Sequence, residues 1–214
     1  MDAIPFPDRH QTLFLNGTAG PLEATVSPIA APRAVAVICA PHPQQGGTMD
    51  NKVVTTLHNA FHAVTMHTVR FNYRGVGHSA GSYGQGQGEA NDLITVLDWV
   101  SHTCSALPLY LAGFSFGAYI SYWIAGMTAY QGRIQQLISI APPVHYPQWP
   151  HLPQPSCPWL VIQGKHDEIV DANAVSDWVK HATPPAHIIL LPATGHFFHG
   201  QLIELKKQLI NQII

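Results

Sequence analysis

The sequence predicts an α/β fold, with a mostly parallel central sheet of about 7–8 strands and helices on both faces. Three observations lead there. Strand-like and helix-like segments alternate along the whole chain. Residues 34–40 (Ala-Val-Ala-Val-Ile-Cys-Ala) are apolar at every position, as a strand covered on both faces must be. The segments richest in reactive side chains each follow a strand-like run, and function collects at the carboxyl ends of strands in such sheets.

The elements follow in order. Residues 11–15 and 22–27 read as two short strands around a turn at Asn16-Gly17. After the central strand at 34–40, residues 50–66 have helical spacing, with Val53, Leu57, Phe61 and Val64 on one side. A strand at 68–73 precedes a helix at 89–102, whose apolar stripe is Leu93, Val96, Leu97 and Val100. A strand at 109–112 leads into a helix at 115–127, and two further strands lie at 134–140 and 159–163. A short helix at 172–181, a strand at 187–191 and a helix from Phe197 to about Ile213 complete the order. That last helix gathers Phe198, Leu202, Leu205, Leu209 and Ile213 on one face, with Lys206 and Lys207 elsewhere. No repeat, charge block or linker divides the chain, so residues 1–214 are expected to form a single domain.

Composition narrows the function. With 46% hydrophobic residues the chain can bury a sizeable core, and with 10% charged residues it is not disordered. A formal net charge of −2 supplies no basic field for nucleic acid or an anionic membrane, which leaves a small molecule as the expected partner. The N-terminal residues 1–7 have neither a basic region nor a continuous apolar stretch, so no signal peptide is expected. No apolar run approaches the roughly 18 residues that span a bilayer. Cys39, Cys104 and Cys157 share no metal-like spacing, and Cys39 lies in an apolar strand, which suits a buried thiol. These features together point to a reducing cytoplasm.

Three segments carry chemistry. Gly113-Phe114-Ser115-Phe116-Gly117 places a serine between a strand and a helix. On so sharp a turn the serine backbone is strained and its hydroxyl exposed, while a β-carbon at either glycine would strike a neighbouring strand or helix. The helix that begins there also points its positive end at the site. A plain serine N-cap is the alternative. The second segment, Gln163 to Val170, follows a strand and holds Asp167, Glu168 and Asp171. A carboxylate here can accept from an imidazole Nδ1–H and fix its tautomer. Asp171 sits where a helix N-cap is expected and Glu168 is expected in solvent, so Asp167 is assigned the role. The third, Ala193 to Phe198, carries His196, which stands out among fourteen histidines by its strand-end loop and preceding glycine. It completes the chain order Ser…Asp…His.

With Pro41-His42-Pro43, Gly46-Gly47 and the stretch Arg70 to Ser79, these segments resemble the α/β-hydrolase superfamily, and more narrowly its small bacterial hydrolases without a cap domain. The resemblance runs from about Arg33 to His199 and implies the α/β-hydrolase fold and a serine hydrolase, carboxylesterase-like reaction. Ser115, Asp167 and His196 would be the catalytic triad. One oxyanion-hole donor would be the Phe116 N–H. The other should come from the loop after residues 34–40, where this chain has Pro43, which has no N–H to give, and so falls to Gln44.

Other signals are weaker. Gly75-Val76-Gly77-His78-Ser79-Ala80 matches a dinucleotide fingerprint, but Gly81, Gly84, Gly86 and Gly88 delay any helix to about Glu89, so no nucleotide is expected. Arg74 reads as an ion-pair partner. His58 and His62 lie four apart on a helix without a clear third ligand, so they read as a surface pair and no metal or other cofactor is implied. Seven prolines between Pro142 and Pro158 exclude a helical lid, which predicts an open site. His42, Phe114, Tyr119, His145, Tyr146 and Trp149 are candidates to line that site, with core packing the alternative for each aromatic.

The expected reaction is cleavage of an ester, thioester or amide through an acyl-enzyme. Activity should rise with pH through the free imidazole's titration. A peptidase, an acyltransferase, a cofactor-free haloperoxidase-like side activity and a non-catalytic ligand-binding or signalling module are the alternatives.

Overall fold

The computed structural model describes residues 4–213. Met1, Asp2 and Ala3, part of the stretch in which no signal peptide is expected, lie outside the described residues.

β1 (Gln11–Gly17) and β2 (Gly20–Ser27) pair as an antiparallel hairpin. The turn falls at Thr18-Ala19, beyond the expected Asn16-Gly17, because Asn16 and Gly17 still pair with Pro21 and Gly20. The remaining strands are β3 (Ala34–Cys39), β4 (Met66–Phe71), β5 (Leu109–Phe114), β6 (Ile134–Ile140), β7 (Trp159–Gly164) and β8 (Ala186–Leu191). They form one eight-stranded sheet in the order β1-β2-β4-β3-β5-β6-β7-β8. Strands β3 to β8 run parallel, and β2 joins β4 antiparallel.

Helices α1 (Lys52–Ala63) and α5 (Leu202–Ile213) cover one face, while α2 (Gln87–Thr103), α3 (Phe116–Gly126) and α4 (Ala172–Lys180) cover the other. The alternation of β3 divides between them. Val35, Val37 and Cys39 pack towards α2 and α3, and Ala34, Ala36 and Ile38 towards α1. Leu205 and Leu209 of α5 are fully buried, each contributing about 1.5–3 kcal/mol by leaving water.

Two boundaries differ from the sequence reading. The last helix starts at Leu202 instead of Phe197, because Phe198 (φ 55°) and Gly200 (φ 72°) take left-handed backbone that no helix tolerates. Phe198 is fully buried and pins this turn. Helix α2 starts at Gln87, two residues early, because the Glu89 carboxylate folds back to accept from the Gly84 and Gly86 N–H groups, each at 2.8 Å.

Between β6 and β7 the chain makes one short 3-10 turn, Trp149–His151, and no cap covers the sheet. Among the described residues, no helix is long and apolar enough to cross a membrane.

Candidate active site

The site is built on three strand ends. After β5, Ser115 takes φ 53° and ψ −118°, and its N–H donates to Ile140 O at 2.8 Å. Backbone strain of this kind costs of the order of 1–3 kcal/mol and holds the hydroxyl at the tip of a sharp turn. The turn closes so tightly that a β-carbon on Gly113 would lie 2.2 Å from Gly117 O, and one on Gly117 would lie 2.4 Å from Cys39 O. Side chains larger than hydrogen at either place would displace backbone.

The loop after β7 presents Asp167. Its Oδ1 accepts from the N–H groups of Ile169 and Val170 at 2.9 and 2.8 Å, and its Oδ2 accepts from Gln163 Nε2 at 2.9 Å. The turn after β8 presents His196, which is buried, with Nδ1 2.9 Å from Asp167 Oδ2 and Nε2 3.0 Å from Ser115 Oγ. A carboxylate only accepts, so Nδ1 carries the proton and Nε2 is left to accept from the serine hydroxyl. Burial alone would raise the Asp167 pKa; hydrogen bonds from the His196 ring and the Val170 and Ile169 amides outweigh it and hold the carboxyl below its ordinary value.

The competing acids have other work. Asp171 caps α4, accepting from Asn173 N–H at 2.9 Å. Glu168, expected in solvent, is exposed but turns one oxygen to the His196 backbone N–H at 3.1 Å, against Gly195. Thus adjacent carboxylates hold the same histidine by its ring and by its backbone.

On the other side, Phe116 opens α3, so its N–H has no acceptor within the helix. The Gln44 N–H is turned to His42 Nδ1 at 3.2 Å in a short 3-10 turn, Pro43–Gln45. His42 sits between Tyr83 and Phe116, with Nε2 3.3 Å from the Tyr83 hydroxyl. Burial lowers its pKa, and the Glu89 carboxylate only partly opposes this, so the ring is neutral near pH 7.

Ser115 and His196 open onto a cleft of about 170 Å³. Of the residues expected to line it, His42, Phe114, His145 and Tyr146 do so and Tyr119 and Trp149 do not; neither expected oxyanion donor, Phe116 or Gln44, is among the lining residues. Trp149 is 1% exposed and stacks on Tyr122 at 4.7 Å between ring centroids, so it anchors the proline-rich segment from within the core. Tyr119 points into the same aromatic cluster. Sequence reasoning missed Ile169 and Phe197, 50% and 43% exposed, which flank the opening. Their exposure follows from the loop paths, which no periodicity in the sequence encodes.

The weaker signals resolve structurally. Arg74 clasps the buried Asp92 at 2.7 Å, and the loop from Gly75 runs to α2 without opening a helix at Gly77. His58 Nδ1 lies 2.7 Å from Thr68 Oγ1, so this ring is half-buried and engaged. No three His, Cys, Asp or Glu side chains converge as a metal set among the described residues.

Comparison with known proteins agrees with this architecture. A family model for the alpha/beta hydrolase domain matches residues 35–204. An uncharacterised protein of Rickettsia prowazekii is 31% identical over 94% of this chain and 88% of its own. The structure of an alpha-beta serine hydrolase homologue from Coxiella burnetii is 42% identical, covers 98% of this chain and 100% of its own, and superposes with a TM-score of 0.90. A lidless α/β serine hydrolase from Xanthomonas campestris is 41% identical over 98% of this chain and 96% of its own, again with a TM-score of 0.90.

Proposed function

The chain belongs to the α/β-hydrolase family, and from that premise we propose that it is a serine hydrolase that cleaves a short, uncharged acyl ester through Ser115, His196 and Asp167. The observation that carries this reading is the continuous hydrogen-bonded path from Ser115 Oγ to His196 Nε2 (3.0 Å) and from His196 Nδ1 to Asp167 Oδ2 (2.9 Å).

In the proposed mechanism Ser115 Oγ attacks the carbonyl carbon while His196 Nε2 takes its proton. Asp167 keeps the ring in the required tautomer and stabilises the imidazolium. The oxyanion takes a hydrogen bond from the Phe116 N–H. The second donor is the Gln44 N–H, which must leave its 3.2 Å contact with the neutral His42 ring and turn into the cleft, where a charged acceptor makes the stronger bond. His196 then gives its proton to the departing alcohol. Water attacks the acyl-serine with His196 again as base, releasing the acid and restoring Ser115.

The cleft supports the substrate class. Its lining carries no Lys, Arg, Asp or Glu side chain among the described residues, so nothing pairs with a charged substrate. A cleft of about 170 Å³ is similar in size to an engineered cavity that holds a benzene ring, room for an acyl group of a few carbons. Thioesters and amides would use the same groups, and the ester is favoured here because no charged side chain awaits a bulky ionic leaving group. The reading is tested with p-nitrophenyl esters from acetate to decanoate. Turnover should be greatest for the shortest chains and absent in Ser115→Ala; turnover that persists in Ser115→Ala would overturn it.

A further inference from the structure

Gln163 is the penultimate residue of β7 and is fully buried beneath the Asp167 loop. Its Nε2 reaches three acceptors: Asp167 Oδ2 at 2.9 Å, Val170 O at 3.2 Å and Gly164 O at 3.3 Å. That arrangement fixes the amide's orientation. Turning it over would aim Oε1 at a carboxylate and two carbonyls, none of which can donate. In the observed orientation Oε1 is buried without a partner, so the side chain gives up one hydrogen bond to keep its N–H on the carboxylate.

We propose that Gln163 is a positioning residue for Asp167, whose buried amide both tethers the carboxylate and limits how strongly it pulls on the His196 ring. The inference rests on the reading of Asp167 and His196 given above. A carboxylate that shares its charge with a neutral donor stabilises an imidazolium less than one without it. The two amides on Oδ1 orient the loop, but Gln163 is the donor on Oδ2, the oxygen nearer to His196 Nδ1. The other titratable groups around the ring are Glu168 at the His196 backbone, His42, His145 and Tyr146 across the cleft, and Lys165 and His166 on the Asp167 loop. None of them touches Asp167 Oδ2, so a change at Gln163 reaches His196 through Asp167.

The experiment compares wild type, Gln163→Leu and Gln163→Glu. Leu removes the donor at similar volume; Glu keeps the shape and, held protonated among three acceptors, returns a donor to Asp167 Oδ2. The readouts are the pH profile of kcat/KM on p-nitrophenyl acetate and the substrate-free NMR titration of the His196 ring. Gln163→Leu should shift the midpoint of the acid limb and the ring titration upward by about half a unit to one unit, while Gln163→Glu should stay closer to wild type. Below the midpoint, that means a loss of about three- to tenfold in kcat/KM. A midpoint unmoved in folded Gln163→Leu, whatever happens to kcat, would reduce Gln163 to a structural residue and overturn the proposal, as would an equal shift in Gln163→Glu or failure of both variants to fold. If the wild type turns over no ester, the function reading fails separately, because the NMR titration needs no substrate.

Discussion

His196 Nε2 stands 3.0 Å from Ser115 Oγ although 81 residues of chain separate the two. The contact joins the ends of β5 and β8, strands at positions five and eight of the sheet, so the whole intervening α/β layer must be in register for it to form. Removing either side chain should therefore abolish chemistry without disturbing the fold. Ser115→Ala and His196→Ala are each expected to lower kcat/KM by about 10³–10⁶-fold with unchanged circular dichroism. Asp167→Asn should cost about 10⁴-fold by favouring the wrong tautomer. Activity retained within tenfold in any of the three would place the chemistry elsewhere.

The elbow sets a second expectation. A β-carbon at Gly117 meets Cys39 O at 2.4 Å, and β3 cannot retreat because it lies between β4 and β5. Gly117→Ala should lose of the order of 1–3 kcal/mol in urea unfolding and a larger share of its activity, since the strain falls on the Ser115 backbone. Gly132→Ala, where the β-carbon would meet open space, is the control, although its φ of 75° still carries a backbone cost.

Stability should fall on mild acidification for a reason unrelated to the site. His58 is held down to a pKa of about 4 from 6.5 by burial, with Arg70, His62 and His10 adding repulsion. A histidine whose folded pKa is depressed is neutral in the native state and gains its proton on unfolding. Its contribution is full above pH 6.5 and is lost as pH falls from there towards about 4. Allowing for solvent screening at a half-buried site, this is worth of the order of 1–2 kcal/mol. Asp167, with its lowered carboxyl, acts in a different window, stabilising above about pH 4 and failing only below it. Thermal unfolding between pH 4 and pH 7 should therefore be flatter in His58→Gln than in wild type. Equal slopes would remove His58 as the cause.

Ile169 and Phe197 should govern chain-length preference. Both flank the cleft with half-exposed apolar side chains, so truncation widens the opening. Ile169→Ala and Phe197→Ala are expected to move the best p-nitrophenyl ester towards longer chains while lowering acetate turnover by less than about tenfold, the equivalent of 1.4 kcal/mol. An unchanged chain-length profile in both would show that the acyl group lies elsewhere in the cleft.

Much of this was legible in the sequence because it is local. The apolar run of β3, the strand–helix alternation and the spacing of Gly113, Ser115 and Gly117 state their geometry within a few residues. The chain order of Ser115, Asp167 and His196 located the convergence of distant loops. What stayed hidden depends on contacts between those loops. Gln163 is a strand residue like its neighbours until the Asp167 turn folds over it, and Glu168 is an exposed acid whose bond to the His196 N–H exists only once the two loops meet. For Trp149 the sequence leaves rim and core both open, and the core wins because a large ring beside Tyr122 and Trp159 gains more from burial than a loop position reveals. The sequence extends the last helix back to Phe197 because Phe198 continues its apolar stripe, while the left-handed backbone of Phe198 is set by the packing of the His196 turn.

Whether Ser115 is an activated nucleophile is decided by labelling with a fluorophosphonate probe and locating the adduct by peptide mass spectrometry. A stoichiometric adduct is expected on Ser115 in wild type and none in Ser115→Ala or His196→Ala. Folded wild-type protein that takes no label, or an adduct on another residue, would contradict it.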